Sequence, residues 1–158
     1  MDYLLNSADV SFVGDLRFQD GTPVFNEREL SHFVDVKRIL RNVMWVWYIS
    51  LAGLLVLGIW AWRGKWSAEY RRGLSRGGWL TVILMALILA FVLLGFGVFF
   101  VGFHEVFFPP GTWMFYYSDT FIRLFPEVFW QDIFIYLGLF SLIAGLALGL
   151  GFRPRKLK

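Results

Sequence analysis

The chain contains no cysteine. This excludes disulfides, a thiolate nucleophile, acyl-thiol chemistry on the enzyme and any sulfur-based metal site, and it leaves the redox compartment unread. Only two histidines, His32 and His104, and five prolines occur in 158 residues. No GxSxG elbow, HExxH, Walker loop or GxGxxG is present, so the usual serine-hydrolase, zinc-protease and nucleotide-binding signatures are missing. Charge is scarce and unevenly placed. Fifteen Lys and Arg against twelve Asp and Glu give +3, with a pI near 9.4. The basic residues cluster at the ends of apolar runs, where topology signals belong, so nucleic acid is not an expected partner.

What the chain has in abundance is apolar residues, 58% hydrophobic and 20% aromatic with a mean hydropathy of +0.59. They lie in long blocks rather than periodic stripes, which marks an integral membrane protein. Val43 to Trp62 carries no charge over 20 residues, about 30 Å of helix and the thickness of a hydrocarbon core. Trp79 to Val101 and Ile133 to Phe152 are two further uncharged spans. The expected fold is an all-α membrane protein, a bundle of three transmembrane helices forming one domain over 1–158. Residues 1–42 are an extracytoplasmic arm and helix start, 43–62 a span, 63–78 a cytoplasmic loop, and 79–101 a span. Residues 102–132 are an outer aromatic loop, interfacial or re-entrant, 133–152 a span, and 153–158 a cytoplasmic tail.

Orientation follows from the basic residues. Arg63, Lys65, Arg71, Arg72 and Arg76 crowd the loop, and Arg153, Arg155, Lys156 and Lys158 the tail, whereas the aromatic loop has only Arg123. Loop and tail are therefore expected inside, arm and aromatic loop outside, although Lys37, Arg38 and Arg41 stand against this at the outer end of the first span. No charged n-region with a following apolar run opens the sequence, so no signal peptide is expected. An outer N-terminus without one implies a preceding spanning helix that this chain lacks.

Within the arm, Gly14, Gly21 and Pro23 punctuate short runs, Val10 to Val13 and Leu16 to Phe18, that could pair weakly as strands; a loosely ordered arm is favoured. Asn26 followed by Glu29 reads as a helix start, Asn26 capping and Glu29 at the third helical position reaching back. His32, Val36, Ile39 and Val43 then share one face, while Lys37, Arg38, Arg41 and Asn42 take the other. Gly95, Gly97 and Gly102 mark places where a backbone or a substrate chain could approach the second span. Ser141, Gly145 and Gly149 give the third span a small-xxx-small face suited to close helix packing in lipid.

The two histidines are the sharpest chemical signal. Both fall at the outer ends of spans, and each stands near a carboxylate, Asp35 and Glu105, that could fix its tautomer. Ionisable groups near lipid are costly and usually functional. An interfacial side chain without a task is the bland alternative for either one. Two histidines without cysteine make a poor zinc site, and a haem or quinone site is a competing reading. Asp119 with Arg123 reads as a local ion pair, Glu127 after Pro126 as a helix first turn, and Trp113, Tyr116 and Tyr117 as interfacial belt residues.

Two blocks, NERELSHFVDVKRIL (Asn26 to Leu40) and FHEVFFPPGTWMFYYSDTFIRLFPEVFW (Phe103 to Trp130), followed by a last span, closely resemble the bacterial lipoprotein intramolecular transacylases. The likeness covers roughly residues 1 to 152. It implies an acyltransferase of the bacterial cytoplasmic membrane. The family moves the sn-2 acyl chain of a diacylglyceryl-cysteine lipoprotein onto the cysteine α-amino group, giving a lyso-form lipoprotein on the extracytoplasmic side. It implies His32 and His104 as the catalytic residues. The residues themselves offer Asp35 and Glu105 as supports for the imidazoles, and Lys37, Arg38 and Arg41 either as holders of lipid phosphates or, equally, as solvated anchors. The expected partners are diacylated bacterial lipoproteins and membrane lipid; no cofactor or metal is expected. Family members usually have four spans, which agrees with a missing first helix here. The residues suit such chemistry, since amine and ester sit on one substrate and no enzyme nucleophile is needed. The competing non-enzymatic readings are a membrane haem or quinone protein using the two histidines, and an assembly scaffold using the aromatic loop.

Overall fold

The computed structural model describes residues 2–153. It is all-helical, with no strand among the described residues, only an isolated bridge between Arg17 and Pro23. Two short turns, α1 (Asp2–Leu5) and α2 (Ser11–Gly14), precede the long α3 (Glu27–Arg63) and α4 (Ser67–Phe107); a five-residue α5 (Thr120–Leu124) and α6 (Glu127–Gly151) follow. Helices α3, α4 and α6 are long and apolar enough to cross a membrane. At 1.5 Å per residue the 37 residues of α3 reach about 55 Å. That exceeds a hydrocarbon core of about 30 Å, so the polar first turns of α3 stand outside the span.

Capping explains where α3 begins. Asn26 Oδ1 accepts from the Glu29 amide at 3.0 Å, and Glu29 Oε2 accepts from the Asn26 amide at 2.7 Å, the reciprocal pair expected from the sequence. Glu127 opens α6 directly after Pro126, also as expected. The basic stretch expected as a loop over 63–78 is mostly helix, because α4 already starts at Ser67. A tight turn at 64–66, with Lys65 in the left-handed region at φ 59, makes the reversal. Of the expected tail, residues 154–158 lie outside the described residues.

The chain divides into two compact units, Met1–Trp47 with Gly97–Trp130, and Tyr48–Phe96 with Gln131–Lys158. In the second, α4 and α6 cross at their glycines. A methyl placed on Gly145 would lie 2.9 Å from the Gly78 carbonyl, and Ser75 Oγ donates to the Gly149 carbonyl at 2.8 Å. This is the close approach that the Ser141–Gly145–Gly149 spacing implies. Outward-facing apolar side chains such as Leu55, Ile59 and Leu87 are exposed, as lipid-facing positions must be.

The first unit carries a core of Tyr3, Val13, Phe25, Phe33 and Phe121. Three of these five come from the segment before α3, so the arm is not loose: it supplies more than half of a packed, largely aromatic core. The run Val10 to Val13 forms part of α2 rather than a strand. Lys37 is the reason the arm stays down. Its ammonium donates to the Ala8 carbonyl at 2.6 Å and lies 3.9 Å over the Tyr3 ring. Within α4, backbone geometry breaks at Gly95. Among the described residues, nothing outside the local helix backbone lies within 4 Å of a methyl built at Gly95 or Gly102.

Candidate functional site

His32 lies on the second turn of α3 and His104 on the last turn of α4, both outside the apolar spans and both in the first unit. The fold brings them together, ring centroids 6.1 Å apart with planes 23° from parallel. Their exposures are 3% and 8%. Phe108, Phe115 and Phe121 stand 4.8, 5.3 and 5.3 Å from the His32 ring. Phe100 and Trp113 stand 4.1 and 4.9 Å from the His104 ring. The aromatic stretch therefore packs around the two imidazoles, and we call the space it encloses about them their chamber. Trp113, expected in a headgroup belt, is one of the rings around them, while Tyr117 is 94% exposed.

The tautomer of His104 follows from its partner. Its Nδ1 sits 2.7 Å from the Phe100 carbonyl. A carbonyl only accepts, so Nδ1 carries the proton and the neutral ring presents its lone pair at Nε2. Nδ1 of His32 is buried with no hydrogen-bond partner. Burial disfavours the charged imidazolium at both residues. Burial first, and the neighbouring His104 second, push His32 down to about 4. Burial also lowers His104, opposed by its bond to the Phe100 carbonyl. At neutral pH the chamber thus holds two uncharged imidazoles, each able to accept a proton.

The remaining candidates sit differently from the sequence expectation. Asp35 turns to Arg38, with an Oδ1 to Nη1 distance of 3.3 Å, and Glu105 is exposed. Neither carboxylate bonds to an imidazole, because a backbone carbonyl already fixes His104 and aromatic rings fill the space around His32. Lys37 is not a lipid anchor, being only 7% exposed and committed to the arm. Arg38 and Arg41 are exposed on α3. Asp119 does not pair with Arg123; its carboxylate accepts from the Tyr116 amide at 2.8 Å and from Asn26 Nδ2 at 3.3 Å. Sequence reasoning gave Glu29 a capping role alone, whereas its second oxygen accepts from the Phe121 amide at 2.6 Å. No local signal reveals that bond, which joins residues 92 positions apart. The chamber's aromatic walls were visible only as an unusual density of Phe and Trp.

The site is thus a pair of buried proton acceptors packed among aromatic rings, on a protein with three helices long and apolar enough to cross a membrane. The family model for the lipoprotein intramolecular transacylase Lit matches residues 1–130. This chain belongs to that family. The match includes both histidines, Glu29 and the whole aromatic stretch. An uncharacterised protein of Aquifex aeolicus (strain VF5) is 31% identical over 137 residues, which is 82% of this chain and 57% of that relative. The chain thus spans a little over half the length of the relative. No solved structure matches it.

Proposed function

We propose that this protein is an acyltransferase that moves the sn-2 acyl chain of a diacylglyceryl-cysteine lipoprotein to the cysteine α-amino group, on the extracytoplasmic side of the bacterial membrane. The observation that carries the reading is the pair of buried imidazoles 6.1 Å apart, packed among aromatic rings. An α-amine with a pKa of roughly 7.7 to 8.0 is largely protonated at neutral pH and must lose a proton before it can attack. The lone pair at His104 Nε2 is the acceptor that the Phe100 bond leaves free. Nitrogen then bonds to the ester carbonyl carbon and sheds a second proton, the bond between that carbon and the glyceryl oxygen breaks, and the departing alkoxide takes a proton from imidazolium, so amide and free hydroxyl form with one proton released overall. Nothing is oxidised or reduced, and no enzyme nucleophile is consumed. His32, with its unpartnered Nδ1, meets the ester oxygens as charge develops on them. A positioned base contributes on the order of 10²- to 10⁴-fold, and holding amine and ester in one bent geometry supplies the entropic share. Arg38 and Arg41 are the cations left to meet lipid phosphates.

The test is expression in a bacterium that makes diacylated lipoproteins, followed by tandem mass spectrometry of the lipoprotein N-terminal peptide. Intramolecular transfer yields an isomer, so fragment ions rather than intact mass decide. Acyl on the cysteine nitrogen, lost in His32→Ala and in His104→Ala, is the expected result. A free nitrogen with the wild-type chain, or full transfer in both variants, overturns the reading. A Soret band on purification would favour the haem alternative instead.

A further inference from the structure

Among the described residues Glu29 is the most buried charged side chain, 1% exposed, and no cation meets it: the ion pairs there are Arg38–Asp35 and Arg72–Glu69. A buried carboxylate is held by its hydrogen bonds or not at all. Oε2 takes the Asn26 amide at 2.7 Å and Oε1 takes the Phe121 amide at 2.6 Å. The first bond completes the cap of α3. Glutamine would serve a capping box equally well, because that motif asks for one acceptor. The second bond reaches the first turn of α5 and is not needed by any cap of α3. It fixes the residue whose ring stands 5.3 Å from His32, 5.1 Å from Phe33 and 5.1 Å from Phe115. His32 is three residues after Glu29, one helical turn along the same face. One carboxylate therefore holds both the turn that carries His32 and the ring that covers it.

We propose that Glu29 is a positioning residue for acyl transfer: its two oxygens, shared between the Asn26 and Phe121 amides, lock Phe121 over His32 and so set the place of the imidazole in the chamber. The role rests on the transacylase reading above. It acts through Phe121 and does not require Glu29 to touch the substrate. An amide in place of the carboxylate has one acceptor oxygen and turns a donor toward the second backbone N–H. One of the two links must then break. The charged or titratable groups about His32 are His104 from α4 and Glu29 and Asp35 on α3, while the loop and α5 meet it with Phe108, Phe115 and Phe121.

The experiment compares Glu29→Gln with Val92→Ala in proteoliposomes carrying a synthetic diacylglyceryl-cysteine peptide. Val92 is fully buried in the other unit and serves as a control for lost stability alone. Single-turnover rate, KM, the protection of the Phe121 amide and the ring titration of isotope-labelled histidine are read for each. For Glu29→Gln the expected result is a rate lower by about 10-fold with KM within about twofold. The Phe121 amide loses protection, and the His32 titration midpoint moves upward as water enters. Val92→Ala, at an equal loss of Tm, is expected to leave rate and titration where they were. A wild-type rate in Glu29→Gln with Phe121 already deprotected overturns the proposal, as does an equal rate loss in the two variants. If the wild-type chain transfers no acyl group, the transacylase reading fails by itself. The His32 titration then decides positioning: unmoved in Glu29→Gln, it overturns the role; shifted, it upholds it for whatever chemistry the chamber performs.

Discussion

Gly77 and Gly78 are neighbours on α4, yet alanine at the two positions is expected to act in opposite directions. A methyl on Gly78 would lie 2.5 Å from the Gly149 nitrogen, 2.6 Å from the Gly145 oxygen and 2.9 Å from the Leu148 Cβ. Two of these are backbone atoms and cannot swing aside. Ordinary non-bonded contact needs about 3.5 Å, so α4 and α6 must part by about 1 Å. Overpacking of this kind costs about 1–3 kcal/mol. The same movement stretches the 2.8 Å bond from Ser75 to the Gly149 carbonyl past hydrogen-bond range and strands a hydroxyl that is 6% exposed. A buried group left unpaired adds about 1–3 kcal/mol, for a total on the order of 2–6 kcal/mol. At Gly77 nothing lies within 4 Å of the added methyl. There, alanine only restrains the unfolded chain and raises helix propensity, a gain of about 0.5–1 kcal/mol. Thermal unfolding in detergent, or titration with a denaturing detergent, reads the two variants side by side. Gly78→Ala as stable as Gly77→Ala would refute the crossing of α4 on α6.

Three other outcomes follow from the first unit. His32 protonates near 4 in the folded chain against an ordinary 6.5, so between these values the unfolded chain binds more protons. Its contribution is complete above pH 6.5 and is lost as pH falls toward 4, on the order of 3 kcal/mol in all; His32→Phe should flatten that limb of an unfolding-versus-pH curve, and an unchanged slope would contradict the burial argument. Lys37→Met keeps the apolar stem but removes the donor to Ala8 and the cation over Tyr3, about 2–3 kcal/mol of local attachment. Hydrogen exchange should then quicken across the arm and leave the spans protected, whereas uniform protection would show that Lys37 does not hold the arm. In the acyl-transfer assay His32→Ala, His104→Ala and the double variant should fall to one common floor, because groups acting as a unit are non-additive; additive losses would separate the two residues into independent roles.

The spans, the start of α3 and the place of both histidines beyond the ends of the spans were all legible in the sequence. Each depends on short-range chemistry: an uncharged run about as long as a bilayer is thick, a cap and its reply three residues later, an ionisable group where such groups are costly. The Ser141–Gly145–Gly149 spacing belongs here too, since it names the face that packs even though it leaves the partner glycine unnamed. The two motif blocks also pointed to the family before any geometry was known.

The partners of those residues were not legible. Lys37 looks like a surface cation on a helix, and only the fold sets the Ala8 carbonyl and the Tyr3 ring against it. Asp35 and Glu105 look like imidazole orienters, yet one turns to Arg38 and the carbonyl of Phe100 does the orienting at His104. Glu29 looks like a cap and is also the link between segments 92 positions apart. Sequence determines where a helix can start and whether it can live in lipid, because those outcomes are decided within a few turns of the chain. Which side chain meets which across the fold depends on the free energy of the whole packed chamber, and only the tertiary structure decided that.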